Sequence, residues 1–143
     1  MSEQNKAVVR RMFDEYWTGK NRALADEFFA PTATLHTPDG VFTGVDGALG
    51  LLQAYETGFP DFRCAIEDLV AEGDKVVVRW TFTGTHQGSI AGIPPTGRQV
   101  SVPNGIVIHR LAGGKVVEAH FTWNKYALLE QLGALSVSSS AAA

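Results

Sequence analysis

The chain has 143 residues, 45% of them hydrophobic, with 12 basic against 15 acidic residues and a formal net charge of −3. That length suits one domain, which buries roughly 68–70% of its unfolded surface and so has room for a core and an internal cavity. No stretch concentrates basic residues, which argues against a phosphate-tracking nucleic-acid surface. The single cysteine, Cys64, has no partner for an internal disulfide and suits a reducing compartment. No apolar run approaches the roughly 20 residues of a membrane span. The first residues, Met1 to Lys6, lack the basic start and apolar run of a secretory signal. A cytoplasmic protein without nucleic-acid or membrane partners is expected.

In chain order, the spacing of Val8, Met12, Phe13, Tyr16 and Trp17 predicts a helix over 2–18, ended by Gly19. A second helix starts at Asn21, buries Leu24, Ala25, Phe28 and Phe29, and stops at Pro31. A short strand at 34–36 runs through the turn Pro38-Asp39-Gly40 into 41–43. Asp46 then caps a third helix whose stripe is Ala48, Leu51, Leu52 and Tyr55. From Phe59 onward the texture becomes period-two and β-branched, with strands near 62–71, 75–86, 99–111 and 115–124. A closing helix covers 125–132, with Gly133 beyond its end. Helices followed by a meandering sheet argue for an α+β fold. One domain over residues 1–135 is expected, and the Ser- and Ala-rich residues 136–143 read as a disordered tail.

Three groups of residues carry a family resemblance over about residues 7 to 133. They are Gly84-Thr85-His86-Gln87-Gly88 with Gly92-Ile93-Pro94-Pro95-Thr96-Gly97, then Phe59-Pro60-Asp61-Phe62, and finally Glu118, Trp123-Asn124 and Leu128 to Gly133. The chain resembles the SnoaL-like polyketide cyclases, or ester cyclases, of the nuclear transport factor two-like superfamily. The resemblance implies a cone-shaped curved sheet, mixed or antiparallel, that encloses a pocket together with the N-terminal helices. It implies aldol-type ring closure on a hydrophobic, polyketide-like carbonyl compound by acid–base catalysis, without metal or cofactor, as in secondary metabolism. A homodimer built on the face of the sheet opposite the pocket is also expected, because Phe121, Trp123 and their neighbours would otherwise leave a large apolar patch in water. Where relatives often place a Trp and, four positions on, an Asp in the last strand, this chain has His120 and Asn124. An amide cannot take a proton, so a carboxylate mechanism at position 124 is excluded. Two other readings stand beside the cyclase: a non-catalytic protein that binds an apolar metabolite, and a hydroxylase-type or epoxide-opening relative. A titratable group facing the cavity separates catalysis from binding.

Alternation puts Glu118, His120, Thr122 and Asn124 on one face of the last strand, and Ala119, Phe121 and Trp123 on the other. Either face fits the cavity on alternation alone. The resemblance favours the first, with His120 as acid/base and Asn124 either orienting it or binding the enolate oxygen, while Phe121 and Trp123 pack against a second subunit. His36 is the reserve catalytic group. Trp17, Tyr16, Trp80, His86, Asn104 and Phe62 are the expected ligand-binding residues, although His86 also suits a structural role in its loop. His109 is expected on a solvated face. Of Arg79 and Trp80, one faces inward; an inward Arg79 would need Asp61 or Glu67 as its partner. No metal site is expected from spacing, since none of the four histidines lies within four residues of another. A spatial cluster of His36, His86 and His120 is the arrangement left open.

Overall fold

A computed structural model describes residues 2–134; the expected disordered tail lies outside them. Helix α1 (Ser2–Arg11) continues into a π-helical stretch, Met12–Thr18. The wider π turn brings Met12, Phe13, Tyr16 and Trp17 all to the buried side. The expected second helix is shorter than its apolar spacing suggests. After a 3₁₀ turn at Arg22–Leu24, helix α2 covers only Ala25–Phe28, and strand β1 (Phe29–Thr37) begins at Phe29, ahead of both Pro31 and the expected strand start at Thr34. Pro31 is accommodated because the pairing of β1 shifts register between Phe29 and Thr34.

Strand β2 (Gly40–Thr43) follows the turn, and helix α3 (Gly44–Gly58) is preceded by Thr43, not capped by Asp46. Strands β3 (Arg63–Glu72), β4 (Lys75–Thr85), β5 (Gln99–Ala112) and β6 (Lys115–Thr122) match the period-two segments closely, and α4 (Lys125–Gln131) closes the chain. The six strands form one mixed sheet in the order β2-β1-β6-β5-β4-β3. β1 pairs parallel to β6, and the remaining neighbours are antiparallel. The expected α+β architecture is the one observed.

Inward side chains of the sheet, among them Val76, Val78, Trp80, Val102, Val107 and Ala119, meet Phe13, Tyr16, Phe28, Leu51 and Leu52 from the helices in one core. The Tyr16 hydroxyl donates to the Ala48 carbonyl at 2.7 Å, tying the first helix to α3 inside this core. The motifs behind the family resemblance prove to be a clasp. The Asp61 carboxylate accepts from the Thr85 amide at 2.7 Å and its hydroxyl at 2.8 Å. Phe59 packs so closely on Gly84 that a β-carbon there would sit 3.1 Å from its side chain, and one at Gly88 would sit 1.9 Å from the Thr57 carbonyl oxygen. His86 is fully buried and ties down the excursion after β4: its Nδ1 accepts from the Thr96 amide at 3.2 Å, and its backbone pairs with Arg98 and Gly97.

In the middle of β5, Gly105 lies against the Trp80 indole, where a β-carbon would come within 2.5 Å of Cε2. Gly105→Ala is therefore expected to destabilise the fold by about 1–3 kcal/mol, the usual cost of overpacking, measured by urea denaturation.

Candidate functional site

The cavity lies between the inward face of the sheet and the helices. Phe13 and Trp17 line it from the first helix, Leu51 and Tyr55 from α3, Phe62 and Cys64 from the start of β3, Trp80 and Phe82 from β4, and Val102 from β5. Phe121, Trp123 and Leu128 complete the wall, and Thr37 with Asp39 adds a polar stretch. Its free volume is about 80 Å³. Aromatic edges hold the wall together. Phe121 meets Trp17 at 6.4 Å and Trp80 at 6.2 Å between ring centroids, both near-perpendicular, and Tyr55 lies edge-on to Phe82 and Trp123 at 6.0 and 5.9 Å.

The face assignment of the last strand that the resemblance suggested is therefore reversed. Phe121 and Trp123 line the cavity, and are not free to pack against a second subunit. His120 is exposed on the opposite face, stacked on His36. Asn124 is also exposed, and its side-chain oxygen accepts from the Ala127 amide at 2.9 Å, so its amide caps α4. The physical reason is apolar burial: two large aromatic side chains gain more from leaving water than one imidazole and one amide would. Of the expected ligand-binding residues, Trp17, Trp80 and Phe62 line the cavity. Tyr16 lies behind the wall, bonded to Ala48, and His86 holds its loop. Asn104 sits on the outer face with a left-handed backbone (φ 65°), where its side chain accepts from Arg79 at 3.1 Å. Arg79 points outward and pairs with Asp68 at 2.6 Å, and neither Asp61 nor Glu67 is its partner.

Three polar groups missing from the expected site gather at one side of the cavity. The Tyr55 hydroxyl donates to one oxygen of Asp39, and the Lys125 ammonium donates to the other at 2.6 Å. Desolvation, followed by the hydrogen bond to Asp39, pushes the Tyr55 phenol well above its ordinary range, so it stays protonated and acts as a donor. Packing around Cys64 desolvates its thiol and pushes its pKa up to about 12, so it is no thiolate nucleophile at neutral pH. The turn Pro38-Asp39-Gly40 and the α3 stripe ending at Tyr55 are both legible in the sequence; that the turn folds over the end of α3 is not.

A model of the SnoaL-like polyketide cyclase family matches residues 7–132. The chain belongs to this family. Its curated relatives include aklanonic acid methyl ester cyclase DnrD of Streptomyces peucetius, 30% identical over 127 residues that cover 83% of each chain. Among solved structures, a protein designated a SnoaL-like polyketide cyclase from Jannaschia sp. CCS1 superposes with a TM-score of 0.86 at 29% identity, over 94% of both chains. AclR of Streptomyces galilaeus, designated a hydroxylase, superposes with a TM-score of 0.83 at 29% identity, over 94% of this chain and 99% of its own. No helix among the described residues of this SnoaL-like chain is long and apolar enough to cross a membrane.

His109 also departs from its expected place. It is fully buried, its ring edge-on to Phe13 and Phe121, and not on a solvated face. Nδ1 donates to the Val76 carbonyl at 3.1 Å, and Nε2 has no partner. Burial lowers its pKa from 6.5 to about 4 and outweighs the backbone hydrogen bond, which acts the other way. Between those two values the unfolded chain binds a proton that the native state refuses, so stability falls as pH drops through this window. For a shift of this size the loss approaches about 3 kcal/mol. Urea denaturation at pH 7 and pH 4.5 is expected to show that loss in the wild type and a clearly flatter dependence in His109→Leu.

Proposed function

We propose that the chain is a cyclase that closes a ring by intramolecular aldol addition, with Asp39 and Tyr55 as its acid–base pair and no metal or cofactor in the chemistry. The observation that supports this most is the pair itself: a carboxylate and a protonated phenol, hydrogen-bonded to each other, on the wall of an otherwise apolar cavity. A titratable carboxylate beside the cavity is the feature that separates catalysis from binding. Asp39 takes the proton from the carbon alpha to a carbonyl, its unengaged lone pairs being free for this. The resulting enolate carbon attacks the second carbonyl of the same molecule. The new alkoxide recovers the proton from Asp39, so the reaction is an isomerisation without net proton change. Tyr55, turning its single O–H from Asp39 to the substrate, donates to the developing oxyanion, and Lys125 holds the carboxylate in place.

The name of DnrD supplies a probe, aklanonic acid methyl ester. A cavity of about 80 Å³ is smaller than the 300–1,000 Å³ of ligand-sized pockets, so a polycyclic ligand requires the wall to open. Arg79, turned outward, leaves the epoxide-opening alternative without its inward cation. Homodimerisation is proposed on different residues from those first expected. On the outer face Val70, Val77, Ile108, His120, His36 and Val41 form one cross-strand row through all six strands. Val70, Ile108 and Val41 in that row are exposed. Light scattering that gives a single-chain mass at micromolar concentration removes this proposal.

Turnover of aklanonic acid methyl ester, followed by chromatography of the cyclised product, is expected to fall about 10²–10⁴-fold in Asp39→Asn, the range for losing a general base. Tyr55→Phe is expected to lose about 10²–10³-fold, as for one oxyanion donor. His120→Gln and added chelator are expected to leave the rate within a few fold. Full activity in Asp39→Asn would move the base elsewhere. Equal ligand affinity in all forms with no turnover in any would favour the binding protein.

A further inference from the structure

Away from the cavity, three side chains of metal-ligating type converge on the outer face of the sheet. His36 of β1 and His120 of β6 are direct partners in the parallel pair, and their rings stack 4.4 Å apart with planes 3° from parallel. Glu118, two residues before His120, shares its face. Its Oε2 lies 3.4 Å from His36 Nε2 and 3.5 Å from His120 Nε2. The three ligand atoms all lie within 4.8 Å of one another. A tetrahedral ion with bonds of about 2.0–2.1 Å needs its ligand atoms roughly 3.3–3.4 Å apart. Two of the three edges already have that length. The third requires the two imidazoles, now stacked parallel, to lean together and turn so that their Nε2 lone pairs converge, which side chains 38% and 58% exposed are free to do.

We propose that His36, His120 and Glu118 form a site for a divalent transition-metal ion, Zn²⁺ fitting best, with its remaining coordination position turned to the outer face, where water fills it in the single chain and the second copy of the proposed dimer would adjoin it. Two imidazoles and one carboxylate suit a borderline ion, whereas Mg²⁺ and Ca²⁺ prefer oxygen ligands throughout. The other oxygen of Glu118 faces Arg110 Nη2 at 3.6 Å, so the arginine engages the carboxylate from behind and leaves Oε2 toward the histidines. Part-desolvation of Glu118 favours its neutral form, but His120, the His36 hydrogen bond and Arg110 together outweigh it and hold the carboxyl below its ordinary range. A bound ion would cross-link β1 to β6. Their ligands lie at opposite ends of the sequence, so the unfolded chain offers no comparable site, and binding adds to stability by mass action. The site faces away from the cavity, which separates it from the proposed proton-transfer chemistry.

The test uses tag-free full-length protein, stripped with chelator and then titrated with Zn²⁺ by calorimetry and with Co²⁺ by visible absorption. One ion per chain with micromolar or tighter affinity is expected, with tetrahedral Co²⁺ bands and a higher melting temperature on Zn²⁺ addition. His36→Gln and His120→Gln, on separate strands and both at exposed positions, are each expected to weaken binding by more than about tenfold, since even outer-shell changes cost that much. Glu118→Gln, which keeps the shape and removes the charge, gives a third variant should either histidine change disturb folding. Cys64→Ser, whose side chain faces the cavity, is expected to leave binding unchanged. Wild-type affinity weaker than about millimolar, unaltered affinity in the His36 and His120 variants, or loss of binding in Cys64→Ser would each overturn the site.

Discussion

The direction of one side chain, Phe121, governs both faces of this sheet. Its ring lies edge-on to Trp17, Trp80 and His109, three contacts that come from the first helix, β4 and β5. From Glu118 onward, past the register shift after Val116, side chains alternate, so that inward ring sends Ala119 and Trp123 in and Glu118, His120 and Thr122 out. The aromatic character of the cavity and the histidine pair on the outside are thus two results of one register. A one-residue slip would place an imidazole among indoles and a phenyl ring in water, which apolar burial opposes strongly.

Given that register, the sheet supplies walls, and the polar groups must come from its margins. Asp39 sits in the β1–β2 turn, Tyr55 near the end of α3 and Lys125 at the start of α4. Each is held by an element with its own reason for being there. Asn124 caps α4 and so fixes where Lys125 begins. Tyr16 anchors α3 through the Ala48 carbonyl. The segments that carry the family resemblance, by contrast, serve the scaffold: Asp61 on Thr85, Phe59 on Gly84, His86 on Thr96. The family motifs thus mostly build the scaffold, with Phe62, Trp123 and Leu128 also supplying apolar wall, while the proposed acid–base groups lie outside them, as expected where one fold hosts several reactions.

This division explains what the sequence disclosed. Strand bounds were legible because β-branched alternation and the glycine turns near 73 and 113 mark them locally. The parallel pairing of β1 with β6 is non-local, so nothing in the spacing of His36, Glu118 and His120 reveals that they meet. His109 was misread for a more specific reason. Val100 and Val102 point inward, and then an irregularity at Asn104, with its left-handed backbone, reverses the parity, so that Gly105, Val107 and His109 point inward. His109 alternates out of phase with Ile106 and Ile108, so taking those two isoleucines as core residues assigns it to the opposite face. The helix at 21–30 failed through the same kind of competition, because β1 pairing claims Phe29 and Ala30 despite their helical spacing.

The small cavity and the placement of its polar groups bear on each other. Sheet residues on the wall, such as Trp80 and Phe121, are locked by cross-strand pairing and aromatic contacts, so widening must come from the helical side. Phe13 and Trp17 of the first helix form part of that side, and the rest is Leu51 and Tyr55 of α3 and Leu128 of α4. The two groups gripping Asp39 belong to two of these helices, Tyr55 on α3 and Lys125 on α4. Any ligand that parts the helical wall from the sheet therefore acts directly on the hydrogen bonds that restrain the carboxylate. Under the proposed reaction, entry of a large substrate and loosening of the grip on the base would be a single event.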